Sequence, residues 1–234
     1  MEKHAGKKQE RVIADCGFQD AAPRIATVQR DVNLFVNRKR LLFWVLGGII
    51  AVVLIALAFH FDELVHNYIA THPNQALRSF MQKVSRFGDW PEHVALGLIL
   101  AGAAWLRGNK KWTRIFLAML IACALAGAAA RVTKIAVGRA RPSVQTETAW
   151  NGPSLSSKFN AFPSGHTAAS TAFFAVLLFV YWRIGLACLP IPILIGFSRM
   201  YVAAHYLSDV LSAAILGVIC AFLVARLLRS QIQI

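Results

Sequence analysis

Residues 41–59 read LLFWVLGGIIAVVLIALAF, nineteen residues without a charge. At about 1.5 Å per helical residue, such a run nearly matches the ~30 Å hydrocarbon core of a bilayer. In lipid, a helix is the single-segment way to satisfy every backbone N–H and C=O. Five further apolar stretches follow outward from it, at 94–106, 115–130, 167–182, 184–197 and 210–228. Several fall short of the usual crossing of about 20 residues, so they span only by borrowing flanking residues. The fold class expected is therefore all-α: a polytopic membrane helix bundle of six transmembrane helices over 41–230, preceded by a basic tail over 1–40.

Composition agrees with that reading. The chain is 57% hydrophobic and only 15% charged, with a mean hydropathy of +0.52. The net charge of +14 raises nucleic-acid binding, but basic residues that interrupt apolar runs leave no broad soluble basic face. Cys123, Cys188 and Cys220 fall in apolar runs and Cys16 in the tail, with no CxxC or Cys/His spacing. Neither disulfides nor a metal site are expected. Ala56-Leu57-Ala58 resembles a signal cleavage site. The run before it is longer than a signal core and further spans follow, so it is expected to stay as an anchor.

Orientation follows from the basic residues. The tail ends in Arg38-Lys39-Arg40, which places it in the cytoplasm, and an even number of crossings returns Arg226 and Arg229 to the same side. The segments 61–92, 131–165 and 199–205 then face outward. Arg131, Lys134, Arg139 and Arg141 consequently lie on the side where cations are disfavoured, which a functional need for positive charge would explain. Within the first outward segment, Leu77, Phe80, Met81, Val84 and Phe87 recur at helical spacing opposite Arg78, Gln82, Lys83 and Arg86. Two readings fit: an amphipathic helix lying in the interface with Trp90 as anchor, or a soluble helix packed on the bundle.

Acidic residues are scarce where these cations lie. None occurs between Glu92 and Glu147, and only Asp209 follows. Cations beside lipid are costly unless something anionic compensates them, which points to a phosphate-bearing ligand.

Three clusters carry the chemistry, all at outward ends of spans. The first is Lys134 with Arg141-Pro142; the second is Pro163-Ser164-Gly165-His166; the third is Ser198-Arg199, His205 and Asp209. Arg offers a planar fork that matches phosphate oxygens, and Lys a point charge. Ser164-Gly165 opens an apolar helix whose first N–H groups and dipole favour an anion. This cradle suits the charge that develops on equatorial oxygens in phosphoryl transfer. His205 and Asp209 at i, i+4 share a helix face, so a carboxylate can fix the ring tautomer and leave the other nitrogen to attack. His166 then serves as the acid for the leaving oxygen. Each cluster alone has a plain structural explanation, such as an N-cap, a buried pair or a headgroup loop; their convergence favours the chemical one. His4, His60, His66, His72 and His93 lack metal-ligand spacing and read as interfacial or structural. Arg131 and Arg139 are supporting cations.

At these residues the chain resembles the type 2 phosphatidic acid phosphatase family, whose superfamily includes the vanadium-dependent haloperoxidases. The signature K-x6-RP, PSGH and SR-x5-H-x3-D appears as KIAVGRARP, PSGH and SRMYVAAHYLSD, in order and without departure. The resemblance implies a bacterial inner-membrane lipid phosphatase with its site open to the outer side. It implies phosphate binding by Lys134, Arg141, Arg199, Ser164 and Gly165. His166 would be the acid, His205 the nucleophile that forms a phosphohistidine, and Asp209 its orienting partner, with no cofactor and no metal. Phosphatidic acid, phosphatidylglycerol phosphate, undecaprenyl pyrophosphate and lipid A are the candidate substrates, and vanadate is the expected inhibitor. The 20-residue loop 143–162 is expected to border the entrance, with Arg139, Trp150, Lys158 and Phe159 as contacts. Two alternatives stand beside this reading. An anion or lipid-phosphate transporter would use the same basic site, although transporters usually bind near the bilayer midplane. Oxidative halogenation with vanadate fits poorly with six apolar spans.

Overall fold

The computed structural model describes residues 41–144 and 146–231. The basic tail expected over 1–40, with Cys16 and Arg38-Lys39-Arg40, lies outside the described residues. The chain divides after Val52 into two units. Of the first, residues 41–52 are described, and they are an uncharged helical stretch. The second, from Val53 onward, holds the bundle and the site.

Eight α-helices follow one another among the described residues: α1 (Leu41–Thr71), α2 (Gln75–Phe87), α3 (Trp90–Leu106), α4 (Lys110–Val137), α5 (Gly165–Val180), α6 (Trp182–Cys188), α7 (Pro190–Tyr201) and α8 (Leu207–Gln231). The sole β pairing described is an isolated antiparallel bridge between Arg139 and Trp150. Four stretches are long and apolar enough to cross a membrane: Leu41–Thr71, Lys110–Val137, Trp182–Tyr201 and Leu207–Leu228. A fifth, Gly165–Val180, is apolar but shorter.

This corrects the expected layout of six simple helices in two places. The expected loop beginning at residue 61 is instead the continuation of α1 to Thr71. His60, Asp62 and Glu63 end the apolar run, yet Asp62 is buried against the bundle, so tertiary pairing overrides the local polarity. The segment at 184–197 is broken at Leu189 into α6 and α7. Pro190 and Pro192 cannot supply the N–H groups a continuous helix needs there.

Helix α5 is the centre of the bundle. Every residue from Thr167 to Leu177 is buried, with α4 and α8 packed against it. The surrounding core is built largely from alanine, including Ala122, Ala126 and Ala130 on α4 and Ala213 and Ala221 on α8. Without a hydrophobic drive between helices in lipid, close backbone packing through small residues is the available source of cohesion. Gly217 shows the consequence. A Cβ there would lie 2.8 Å from the Ala168 carbonyl oxygen, so α8 can approach α5 only with glycine at that position.

Helix α2 satisfies part of each expectation for it. Met81 and Ser85 are buried on the side that packs against α7, while Phe80, Phe87 and Trp90 stay exposed.

Candidate active site

Three connections bring the site together at one end of α5. The first is the turn after α4, where Gly138 adopts φ 63°. A Cβ on Gly138 would lie 1.8 Å from the Gly152 carbonyl oxygen, so the loop closes on it only because it is glycine. The chain then runs extended through Arg139 and Arg141, held by Ala140 N–H to Ala149 O (2.9 Å), Arg141 N–H to Lys158 O (3.0 Å) and Ala161 N–H to Arg139 O (3.0 Å). Arg141 lines the cavity described below, whereas Arg139 turns away to meet Asp62 and Asp209.

The second connection joins α5 to α8: Ser164 N–H donates to the Asp209 carbonyl at 3.0 Å. Ser164 is the N-cap of α5, and its hydroxyl accepts a hydrogen bond from Thr167 Oγ1 at 3.0 Å. The third is the turn from α7 to α8, where Ala203 takes φ 54° and His205 emerges. There Asp209 Oδ2 accepts the Tyr206 N–H at 2.8 Å, closing the start of α8.

A cavity of about 550 Å³ has two kinds of wall. One end is polar, formed by Lys134, Arg141, Gly165, His166, Arg199, His205, Asp89 and Asn160. The other is apolar, lined by Val94, Cys123, Ala124, Gly127, Ala128 and Ala169 from α3, α4 and α5. Arg131 also reaches this cavity.

The three cations differ from Arg139 in their partners. Lys134 Nζ donates to the Asn160 carbonyl at 2.7 Å, and Arg199 Nη1 to Ser85 Oγ. The Nε atoms of Arg141 and Arg199 are buried without a protein partner. No carboxylate lies within ion-pair distance of Lys134, Arg141 or Arg199 among the described residues. Donors of this kind around a polar cavity end form a receptacle for an anion.

His205 is 3% exposed. Its Nδ1 lies 2.7 Å from the Ala161 carbonyl oxygen. A carbonyl can only accept, so Nδ1 carries the proton and Nε2 holds the free lone pair. Asp209 Oδ2 stands 3.7 Å from the same Nδ1, behind the ring. Burial, the largest influence, pushes the His205 ring down to about 3 despite the opposing effect of Asp209. At neutral pH the ring is uncharged. His166 Nε2 lies 3.5 Å from Asp89 Oδ1.

The structure gathers Lys134, Arg141, Gly165, His166, Arg199 and His205 around one cavity, with Ser164 and Asp209 packed immediately behind. It places Arg139 apart, 7% exposed, donating to Asp209 Oδ1 (2.6 Å) and Asp62 Oδ2 (2.7 Å). Trp150 stacks over that guanidinium with 5.0 Å to the ring centroid. Lys158 is exposed and Phe159 half-buried on the short 3-10 turn Ser157–Phe159. Of that turn, Ser157 lines the cavity.

Asp62, Ser85, Asp89 and Asn160 were invisible to motif reading. The scarcity of acid noted in the sequence is thus corrected in part: carboxylates arrive from α1 and from the start of α3. His93 is structural, donating to the Asp89 carbonyl at 2.7 Å and edged by Phe173 and Phe174.

A helix bundle that presents a cationic, histidine-bearing cavity end beside an apolar groove defines a membrane protein with an anion-handling site. The profile of the PAP2 superfamily matches residues 114–233, and the chain belongs to that superfamily. It is 34% identical over 161 residues to a lipid A 1-phosphatase of Rhizobium etli, covering 61% of this chain and 67% of that one. It is 29% identical over 160 residues to the undecaprenyl-diphosphatase BcrC of Bacillus subtilis, covering 67% and 77%. Among solved structures, it resembles the PAP2-type phosphatidylglycerolphosphate phosphatase of Bacillus subtilis, with a TM-score of 0.61, 21% identity and coverage of 76% and 92%. That last likeness concerns the fold.

Proposed function

We propose that the chain is an integral-membrane phosphatase that removes a phosphate from a lipid without a metal. The observation carrying this reading is the pairing of His205 with the cavity. Its Nδ1–H is held by Ala161, and the ring lines the same polar end as Lys134, Arg141, Arg199 and His166.

The steps follow from those positions. The phosphate sits among Lys134, Arg141, Arg199 and the first N–H groups of α5, whose dipole favours the anion. His205 Nε2 attacks phosphorus, and the bond from phosphorus to the lipid oxygen breaks. His166 gives its proton to that leaving oxygen. The product is a phosphohistidine at His205. Water then attacks phosphorus, returns a proton to His166, and inorganic phosphate leaves. The cations act most strongly where charge spreads over the equatorial oxygens.

The apolar wall supports a lipid substrate, since Val94, Ala124, Gly127 and Ala128 offer an acyl or prenyl chain a groove continuous with the phosphate end. The relatives act, by their names, on lipid A and undecaprenyl diphosphate, so the proposed substrate class is a membrane lipid phosphate or diphosphate. In the same proposal α1, α3, α4, α5, the α6–α7 pair and α8 make six crossings. The termini then lie in the cytoplasm and the site at the outer face of a bacterial inner membrane.

The test is phosphate release by purified protein in excess chelator from phosphatidic acid, phosphatidylglycerol phosphate, undecaprenyl pyrophosphate and lipid A. Release that survives chelation supports the phosphatase. Binding of these lipids without release would instead support a transporter or binding protein using the same basic site.

A further inference from the structure

Behind His205, on the side away from the cavity, lies a buried charge cluster that the proposed steps do not use. Arg139 donates to Asp209 Oδ1 (2.6 Å), Ser208 Oγ (2.6 Å) and Asp62 Oδ2 (2.7 Å). Asp62 in turn accepts the Ser208 N–H (2.8 Å) and hydroxyl (2.6 Å). Asp62, Arg139, Ser208 and Asp209 are each less than a tenth exposed. The guanidinium is also enclosed by the rings of Tyr206, Trp150 and Phe59, with its carbon 4.3, 5.0 and 5.1 Å from their centroids.

We infer that Asp62 and Arg139 are positioning residues for the nucleophile, setting both the place and the charge of Asp209 behind His205. Buried carboxylates this close to one another are tolerated only with a cation between them, and Arg139 supplies it. Two carboxylates and one guanidinium leave the cluster with one net negative charge. When His205 Nε2 takes the phosphoryl group while Nδ1 keeps its proton, the imidazole becomes cationic. The cluster's residual negative charge balances it. Losing the Asp62 charge would leave Arg139 and Asp209 neutral together, so the cationic ring would form against no net counter-charge. Because α1 carries Asp62 and the PAP2 match begins at residue 114, this support comes from outside the matched region. Asp62 and Arg139 do not line the phosphate cavity, so they act through Asp209 and His205 rather than on the substrate.

The inference rests on His205 being the nucleophile. The experiment therefore begins with wild type and His205→Ala on short-chain phosphatidic acid, using the full chain in detergent. If wild type is inactive, or His205→Ala active, the nucleophile reading itself fails. If it stands, Asp62→Asn is expected to lower kcat by about tenfold or more, with KM within about twofold of wild type. Asp62→Glu, which keeps the charge, should recover part of the loss. Ser208→Ala, a milder change should Asp62→Asn fail to fold, is expected to lower kcat by about threefold or more with KM within about twofold of wild type. Unchanged kcat in the folded variants would overturn the inference. So would a kcat loss that comes with an equal rise in KM and is not relieved in Asp62→Glu, which would mark a structural role.

Discussion

The Nδ1 atom of His205 is bonded to the carbonyl oxygen of Ala161 at 2.7 Å, while Asp209 waits 3.7 Å from the same atom. A backbone carbonyl from the loop before α5 thus fixes the tautomer, and the carboxylate acts over a longer distance. His205→Ala should reduce phosphate release by at least about a thousandfold, since the proposed nucleophile has no partial substitute. Its stability cost should stay near the ~1–2 kcal/mol of one buried hydrogen bond. Phosphate release and thermal unfolding, measured side by side, check both halves.

Acid should unmask the burial of His205. Its folded value, about 3, lies below the ordinary 6.5. Below pH 6.5 the unfolded chain therefore binds a proton that the folded chain refuses. Stability is fully present above that pH and falls as pH drops toward 3. From pH 7 to pH 5 this contributes a loss of up to about 2 kcal/mol. A His205→Gln variant should lose less stability than wild type over that interval in parallel melting curves. Equal losses would show that this ring titrates normally.

Asp89 caps α3 through a bond from the Trp90 N–H (2.8 Å) and faces His166 at 3.5 Å. Burial and the Arg199 cation disfavour a protonated His166, and the Asp89 carboxylate opposes them, retaining the form that the proposed general acid needs. Asp89→Asn should therefore move the alkaline limb of the kcat profile to lower pH. The amide keeps a cap oxygen, so the change should be visible without unfolding. A profile that scales down without shifting would count against this pairing.

Gly127 lines the apolar wall, and a Cβ placed on it would meet nothing within 4 Å. Gly127→Phe should accordingly fill the groove without disturbing α4. KM for a long-chain phosphatidic acid should rise by about tenfold, while hydrolysis of soluble p-nitrophenyl phosphate stays within about twofold. An equal effect on both substrates would place the lipid chain elsewhere.

The site was more legible in the sequence than its supports. Lys134, Arg141, Gly165, His166, Arg199 and His205 stand at spacings that the chemistry itself requires, and all line one cavity. Asp62 carries no such mark: it follows an apolar run and looks like the start of a loop. Only the face shared by Phe59, Asp62, His66 and Ile69 at steps of three and four hints that the helix continues. Arg139 was read as a cation facing outward because its partners lie 77 and 70 residues away, a distance no local pattern reports. The division of 184–197 into α6 and α7 was foreshadowed by Pro190 and Pro192, whose effect apolar composition concealed. The contact between Asp89 and His166 joins the cap of α3 to the start of α5, a tertiary event.

The central claim is a phosphoryl group carried by His205. The most direct measurement is a rapid quench of the chelated protein with lipid bearing a labelled phosphate, followed by assay of label bound to protein. The account predicts a transient, acid-labile and alkali-stable phosphoenzyme that is absent in His205→Ala. Wild-type turnover with no such species, or the same labelling in His205→Ala, would contradict it.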